Sequence, residues 1–201
     1  LELPIACLVY SGGKSLHAIV RVDAPDFNEY RKRVDYLYDV CRKNGLEIER
    51  KFLIEYPDCN FLLSLEKLRA LNITQTYLLD DSRIRAIEEN GETTYIKTVK
   101  KHITELVREE REWEISEEEY FSLLKNKKQG TNTIEKTRYA VEIGGAVYEI
   151  DVFGFWNDRA FLEIELEDEN QQIEIPDFIK VIKEVTDDPS YKNASLATIG
   201  E

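Results

Sequence analysis

The stretch GLEIERKFLIEYPD, residues 45–58, alternates charged and apolar side chains. Glu47, Glu49 and Lys51 stand two residues apart, and Ile48 lies between the first two. In an extended strand, successive side chains point to opposite sides, so this spacing predicts a strand with one charged and one apolar face. The charged face would carry two carboxylates and an ammonium group.

The same two-residue spacing of charges recurs in later segments of the chain. The sets that would share a strand face are Arg83 and Arg85; Thr93, Tyr95 and Lys97; Arg108, Glu110, Glu112 and Glu114; Lys136 and Arg138; Glu149 and Asp151; and Glu163, Glu165 and Glu167. For any one strand, an antiparallel sheet with a solvated face explains the alternation. Because neighbouring segments repeat charges of one type, the whole set favours a sheet closed on itself, with a tunnel lined by both signs.

Composition limits the class of protein. The 201 residues include 40 acidic and 27 basic ones, for a formal net charge of −13, which repels nucleic-acid backbones at long range. No apolar run approaches the roughly eighteen residues of a membrane span, and the first residues do not resemble an export signal. Cys7, Cys41 and Cys59 form no CxxC pair, which argues against a disulfide framework or a zinc site. We expect a folded cytoplasmic protein without nucleic-acid or membrane partners, and composition leaves the oligomeric state open.

The pattern of elements predicts an α+β protein in two unequal parts. Residues 1–45 read as strand, turn, strand and a helix that begins at Pro25 and Asp26, a hairpin-helix appendage. Residues 46–201 read mostly as short strands. The helices predicted in this second part lie near residues 60–71, 116–125 and 176–184.

The segment SGGKSLHAIV, which begins at Ser11, invites two interpretations. A phosphate-binding P-loop needs a glycine where Leu8 stands, so that reading is rejected. The segment resembles the histidine motif of primase-polymerase domains, in which Ser11, Lys14 and His17 would meet the phosphates of a nucleotide. This resemblance covers only residues 4–45 and lacks the acidic metal ligands of such enzymes. We therefore expect an inactive fragment whose histidine packs within the hairpin.

The ExExK pattern of Glu47, Glu49 and Lys51 resembles the signature of the CYTH domain, the triphosphate tunnel metalloenzymes. The resemblance continues in order over residues 47–199. It includes QTYL from Gln75, RxR at Arg83 and Arg85, Lys97, the alternating Arg108, Glu110 and Glu112, KxR at Lys136 and Arg138, ExE at Glu163 and Glu165, and KEVTDDPSYKNASLA from Lys183. It implies a closed antiparallel β-barrel of about eight strands, with flanking helices, around a triphosphate tunnel.

The resemblance also implies roles for these residues. Lys51 and Tyr77 are the expected catalytic pair that activates the attacking water. The expected substrate-binding residues are Lys51, Arg83, Arg85, Lys97, Arg108, Lys136, Arg138 and Lys183. The expected ligands of Mg²⁺ or Mn²⁺ are Glu47, Glu49, Glu110, Glu112, Asp151, Glu163 and Glu165, since hard divalent ions prefer oxygen donors.

The implied reaction is metal-dependent hydrolysis of the terminal phosphate of inorganic triphosphate. Other reactions of the same tunnel stay open: adenylate cyclisation, or hydrolysis of thiamine or nucleoside triphosphates. The sequence shows no convincing aromatic set for reading a base, which favours the inorganic substrate. A non-catalytic polyphosphate-binding module would use many of the same residues, and metal-dependent turnover separates the two.

Overall fold

A computed structural model describes much of the chain, in two compact units. The described residues are 5–11, 15–20, 25–26, 28–29, 32–33, 36, 48–102, 108–166, 172–186 and 188–198, with the backbone alone for 5–11, 15–20, 48, 100–102 and 108–111. One unit comprises Leu1–Glu47 and Lys100–Glu110, and the other comprises Ile48–Val99 and Arg111–Glu201. The predicted division of the chain between residues 45 and 46 stays a prediction.

The first unit contains the predicted hairpin. Strands β1 (Ile5–Ser11) and β2 (Ser15–Val20) pair antiparallel, which confirms the strand, turn and strand. The described positions 28, 29, 32, 33 and 36 are helical. The Asp26 carboxylate accepts a hydrogen bond from the backbone N–H of Glu29 at 2.9 Å, which confirms the predicted start of the helix.

The second unit is built on a sheet that has nine strands among the described residues. The strands are β3 (Ile48–Glu55), β4 (Leu68–Tyr77), β5 (Arg83–Glu89), β6 (Glu92–His102), β7 (Arg108–Ile115), β8 (Ile134–Ile143), β9 (Ala146–Phe153), β10 (Arg159–Leu166) and β11 (Val181–Glu184). Their order is β11-β3-β10-β9-β8-β4-β5-β6-β7. Every strand pair whose register is described is antiparallel.

The prediction of a closed barrel of eight strands is wrong. Within the described ranges the sheet is open and has nine strands, with β11 and β7 at its two ends. The extra strand comes from residues 181–184, which were predicted as helix. Strand β3 pairs with β10 on one side, and on the other side β11 covers its residues 52–54.

The helices are shorter than predicted. Helix α1 (Cys59–Leu63) is followed by β4 from Leu68, so the prediction of a helix to residue 71 is wrong. The turn between them passes through Lys67, at a left-handed φ of 57°, directly before β4 begins. The remaining described elements are α2 (Glu117–Leu123), α3 (Asn193–Leu196), and the 3₁₀ turns Leu124–Asn126 and Pro189–Tyr191.

The predicted second helix is confirmed by its cap. The Ser116 hydroxyl accepts a hydrogen bond from the backbone N–H of Glu119 at 3.1 Å, as the capping pattern requires. Acidic side chains at 117, 118 and 119 complement the positive end of the helix dipole. No helix in the described part of the chain is long and apolar enough to span a membrane.

Apolar side chains pack on both sides of the sheet. The largest core lies against one face of β3, β8, β9 and β10 and includes Phe52, Ile54, Val141, Ile150, Leu162 and Ile164. A second cluster, here called the apolar end cluster, lies at one end of the opposite face. Its buried members are Leu53, Ile134, Phe153, Phe161, Val185, Leu196 and Ala197. Burial of each large side chain contributes about 1.5–3 kcal/mol.

Candidate functional site

Ionisable side chains gather on the face of the sheet that ends at the apolar end cluster. Strand register places them together, because directly opposed residues of antiparallel strands share a face. We call this surface the charged face. Its described members are Glu49, Lys51, Glu163, Glu165, Glu149, Asp151, Lys136, Arg138, Arg83, Arg85 and Glu112.

Lys51 lies on β3 beside the apolar end cluster. Its side chain extends over the ring of Phe161, with the ammonium 4.1 Å from the ring centroid. The same ammonium lies 2.8 Å from a carboxylate oxygen of Glu163, which is directly opposite on β10. Only 8 % of Lys51 is exposed, so its charge is directed along the charged face rather than into open solvent.

The centre of the charged face is a buried ion network around Asp151. Arg138 donates to Asp151 at 2.7 Å and 2.8 Å and to Glu163 at 2.6 Å, and it also donates to Glu149. Lys136 donates to the second oxygen of Asp151. The network joins two strand pairs and holds Arg138 in one orientation.

Burial and ion pairing oppose each other in this network. Burial of Asp151 would raise the pKa of its carboxyl, but Lys136 and Arg138 outweigh this and hold the pKa at about 2. Burial would lower the pKa of Arg138, and hydrogen bonds and charges of the surrounding carboxylates raise it above the ordinary value. The carboxyl of Glu149 has a raised pKa because burial and the nearby Asp151 and Glu163 outweigh Arg138.

Arg83 and Arg85 lie side by side on β5. The Arg85 guanidinium is 2.5 Å from Glu112, a residue that also accepts from the Thr98 hydroxyl at 3.0 Å, and Arg83 is 3.9 Å from Glu112. Within the described residues, nothing accepts a hydrogen bond from the buried Nε of Arg85. Burial and the neighbouring Arg83 lower the pKa of Arg85, despite Glu112. This part of the face therefore has two neighbouring guanidinium groups and, on Arg85, a spare hydrogen-bond donor, which suits an anion.

The structure does not bring Lys97 onto the charged face. Lys97 is directly opposite Ile84 and therefore points to the other side of β6, where its ammonium is 3.9 Å from Asp80. Ile84 belongs to the small core with Leu78, on the side of β5 away from the two arginines.

The other predicted residues fall into three groups. Lys183 is on the edge strand β11, opposite Leu53, and its ammonium is 4.5 Å from the ring centroid of Tyr191. The Tyr77 hydroxyl accepts from the buried Gln75 amide at 2.8 Å, and its ring packs on the apolar end cluster. Glu47 lies outside the described residues, as do the side chains of Arg108 and Glu110. A functional pairing of Lys51 with Tyr77 stays a prediction.

Several residues on this face were not among the predicted site residues. Arg69 binds Glu89 through two hydrogen bonds of 2.7 Å, at the end of the face away from the apolar end cluster. Sequence analysis placed Arg69 in a helix and thus missed it. Gln75 and Thr98 are uncharged, so the search for paired charges overlooked them, although their two-residue spacing from Tyr77 and Lys100 was visible in the sequence.

The carboxylates of the charged face are the candidate ligands for a divalent ion. Among the described residues, no group of three or more His, Cys, Asp or Glu is arranged to hold a metal ion. Asp151 is buried and Glu163 is nearly buried, and both are engaged in ion pairs. Glu49 and Glu165 lie at exposed positions and are directly opposed on β3 and β10. Mg²⁺ commonly uses one or two carboxylates, completed by water and substrate phosphates. The opposed pair of carboxylates fits that chemistry.

These features define an antiparallel β protein with a face on which guanidinium groups and carboxylates gather. The chain belongs to the CYTH domain family, whose sequence model matches residues 45–190. The match begins at residue 45, so the resemblance of residues 4–45 to a primase-polymerase domain stays a prediction. A search of curated proteins gives no significant match.

Solved structures similar to this chain include two of one protein, NE1496. The chain is 31% identical to the inorganic triphosphatase NE1496, with a TM-score of 0.52, and the match covers 77% of this chain and 95% of that one. A second crystal structure of NE1496, described as a hypothetical protein, gives 31% identity and a TM-score of 0.53, over 77% of this chain and 99% of that one. The PH1012 protein from Pyrococcus horikoshii OT3 is 19% identical, with a TM-score of 0.40, over 62% of this chain and 80% of that one.

Proposed function

We propose that this chain hydrolyses the terminal phosphate of inorganic triphosphate on the charged face, with Mg²⁺ or Mn²⁺ as the metal. The observation that carries the proposal is the burial of Arg85 beside Arg83. The Nε–H of Arg85 has no hydrogen-bond acceptor among the described residues. The similarity to an inorganic triphosphatase supports the same substrate. Guanidinium groups match phosphate oxygens in geometry as well as charge.

The binding roles follow from the contacts of each cation. Glu112 pairs with Arg85 at 2.5 Å and lies 3.9 Å from Arg83, and its side chain is 42% exposed, so a phosphate group can replace this carboxylate. Arg138 is tied to three carboxylates and Lys136 to Asp151. The carboxylates of the ion network balance the charge of these two cations, and Arg83 and Arg85 give the primary phosphate contacts. Arg108 remains a proposed contact.

Glu49 and Glu165 are the proposed principal ligands of the divalent ion, with Glu163, Glu47, Glu110 and Glu112 in support. When bound, the ion supplies charge neutralisation and a template for the phosphate oxygens. In this proposal Asp151 does not bind the ion. Its carboxylate instead orients Lys136 and Arg138, because both of its oxygens are engaged with these cations.

Lys51 would act at the reacting phosphate. Its ammonium binds an oxygen of the terminal phosphate and, with the Tyr77 hydroxyl, orients the attacking water. As water attacks phosphorus in line, the bond to the bridging oxygen breaks and pyrophosphate leaves with the electron pair. The preorganised positive charge around the phosphate supplies most of the rate enhancement.

The test is phosphate release from inorganic triphosphate, measured with Mg²⁺, Mn²⁺ or a chelator, and compared with release from ATP and thiamine triphosphate. The double variant Glu49→Gln, Glu165→Gln is expected to lose metal-dependent release. Inorganic triphosphate is expected to be the best substrate. Tight triphosphate binding without release would contradict the hydrolase and favour a binding module.

A further inference from the structure

The main chain of Lys51 is held at one edge of β3, and its ion-pair partner lies on the strand along the other edge. We propose that Thr186 is a positioning residue, whose hydroxyl fixes the main chain of Lys51 and thereby aims the Lys51 ammonium along the charged face. This inference rests on the proposed function, in which Lys51 acts at the phosphate. Thr186 itself is not proposed to touch substrate.

The edge of β3 changes its partner at Lys51. Strand β11 pairs with β3 as far as Glu184, which is opposite Phe52, and then ends. At the next position, the backbone N–H of Lys51 donates to the Thr186 hydroxyl at 3.0 Å. The Lys51 carbonyl accepts from the backbone N–H of Val185 at 2.8 Å. A side-chain oxygen therefore replaces the ladder hydrogen bond that a longer strand would have made.

A single hydroxyl suits this position because it is both acceptor and donor. While it accepts from Lys51, the Thr186 hydroxyl donates to the Glu184 carboxylate at 2.9 Å. Arg50 fixes Glu184 from the other side through hydrogen bonds of 2.8 Å and 2.6 Å. The Lys51 carbonyl is a second, more distant acceptor for this hydroxyl, at 3.4 Å, and Glu184, which Arg50 holds in place, is the nearer one. With either acceptor, a lone pair of the hydroxyl remains for the Lys51 N–H.

The same short segment also supports the far end of the Lys51 side chain. Val185 is 3% exposed and packs in the apolar end cluster together with Phe161. The Lys51 ammonium lies over that ring, 4.1 Å from its centroid. The segment therefore orients the peptide of Lys51 through Thr186 and braces the surface under the ammonium through Val185.

Loss of the hydroxyl would leave a Lys51 N–H without an acceptor and free its peptide to rotate. A displacement of about 1 Å at a reacting group is enough to lower a rate by about a hundredfold. The expected signature is a fall in kcat with little change in KM, because Arg83 and Arg85 still bind the phosphates. If Thr186 only stabilised the fold, Thr186→Val would lower the free energy of unfolding without a fall in kcat at nearly constant KM.

The test compares Thr186→Val, which keeps shape but removes the hydroxyl, with Thr186→Ser, which keeps the hydroxyl. Thr137→Val is the control, since the Thr137 hydroxyl donates to Asn72 at 3.0 Å on the other face of the sheet. For inorganic triphosphate, Thr186→Val is expected to lower kcat at least about tenfold with KM within about threefold. Thr186→Ser and Thr137→Val are expected to stay within about threefold of the parent chain.

Equal kcat for Thr186→Val and the parent chain would overturn the proposal, as would a loss in Thr186→Ser as large as that in Thr186→Val. If Thr186→Val does not fold, Arg50→Gln is the milder test, because it loosens Glu184 and hence the hydroxyl. It is expected to lower kcat by about threefold or more. An unchanged kcat in Arg50→Gln would then count against the proposal.

A second readout does not depend on hydrolysis. Because Lys51 is only 8 % exposed, its acylation by a small amine-reactive reagent should be slow. Thr186→Val is expected to speed acylation of Lys51, measured by peptide mass spectrometry, relative to the parent chain and Thr137→Val. If the parent chain releases no phosphate, the proposed function fails, and faster labelling still supports the role of Thr186. Unchanged labelling would overturn that role.

Discussion

Lys51 on β3 and Glu163 on β10 are directly opposed in the antiparallel pair, and their charged groups lie 2.8 Å apart. Both side chains are nearly buried, at 10% and 12% exposure. Glu163 also binds Arg138 at 2.6 Å, so it links the Lys51 end of the charged face to its central ion network. Lys51 is consequently held at a defined point on that face.

Lys51→Gln is expected to lower kcat for triphosphate hydrolysis by about a hundredfold or more, since it removes a positive charge placed at the reacting phosphate. Glu163 keeps Arg138 as a partner, so the variant should remain folded. Steady-state kinetics and thermal unfolding of the purified chain provide the check. Activity within a few-fold of the parent would remove Lys51 from the proposed site.

Arg85→Lys keeps the positive charge of Arg85 but not the shape of its guanidinium group, and Arg85→Gln keeps neither. We expect KM for triphosphate to rise by about tenfold or more in Arg85→Gln and less in Arg85→Lys, because an ammonium keeps the charge but not the planar pair of donors. Arg159→Gln serves as the control, since Arg159 is paired with Asp158 in an exposed position.

If Arg85→Gln binds triphosphate as tightly as Arg159→Gln in a calorimetric titration, the primary phosphate contact lies elsewhere. Equal losses in both variants would indicate a general effect of net charge.

Lys97→Gln is expected to leave kcat and KM within about threefold of the parent. The reason is the register of β5 and β6, which places Lys97 opposite Ile84 and away from the charged face. The assay is the one used for Lys51→Gln. A loss as large as in that variant would contradict the register and restore the role predicted from sequence.

Asp151→Asn tests the buried ion network. Removing one partner from a buried ion pair costs about 3–5 kcal/mol of unfolding free energy, because Lys136 stays buried without its counter-ion. Urea unfolding at neutral pH measures the loss. A cost below about 1 kcal/mol would show that the pair of Asp151 and Lys136 is not tight in solution.

The loss of unfolding free energy in Asp151→Asn should depend on pH, in a direction that the pKa of Asp151 sets. The pKa of Asp151 is about 2 in the folded chain and 3.8 ordinarily, so its contribution is fully present above about pH 4. That contribution is lost as pH falls through about 2. The stability gap between the parent and Asp151→Asn should therefore narrow between pH 4 and pH 2. A gap that does not change over this range would contradict the lowered pKa.

Local alternation predicted the charged face because strand geometry alone fixes which side chains share a side. Lys51, Arg85 and Arg138 follow from that rule. Lys97 does not, since its side relative to Arg85 depends on how β6 pairs with β5, and this register is a long-range property. The same limit applies to Asp151, whose residue type suits a metal ligand and whose partners became evident only from tertiary distances.

Whether the sheet closes into a barrel could also not be predicted from the local sequence pattern. Residues 181–184 combine two apolar and two charged residues, a pattern too short to separate a helix from a strand. As a strand, β11 occupies the edge of β3 that a closed barrel would need. The pattern of charges was thus predictable, whereas the edge on which the sheet ends was not.

The most direct test of the central claim is the initial rate of phosphate release from inorganic triphosphate with Mg²⁺, measured side by side for the parent chain, Arg85→Gln and Arg159→Gln. A triphosphatase site on the charged face predicts release by the parent that stops with chelator, survives in Arg159→Gln and falls at least about tenfold in Arg85→Gln at subsaturating substrate. Release that is absent from the parent, or equal in all three chains, would contradict a triphosphatase site on the charged face.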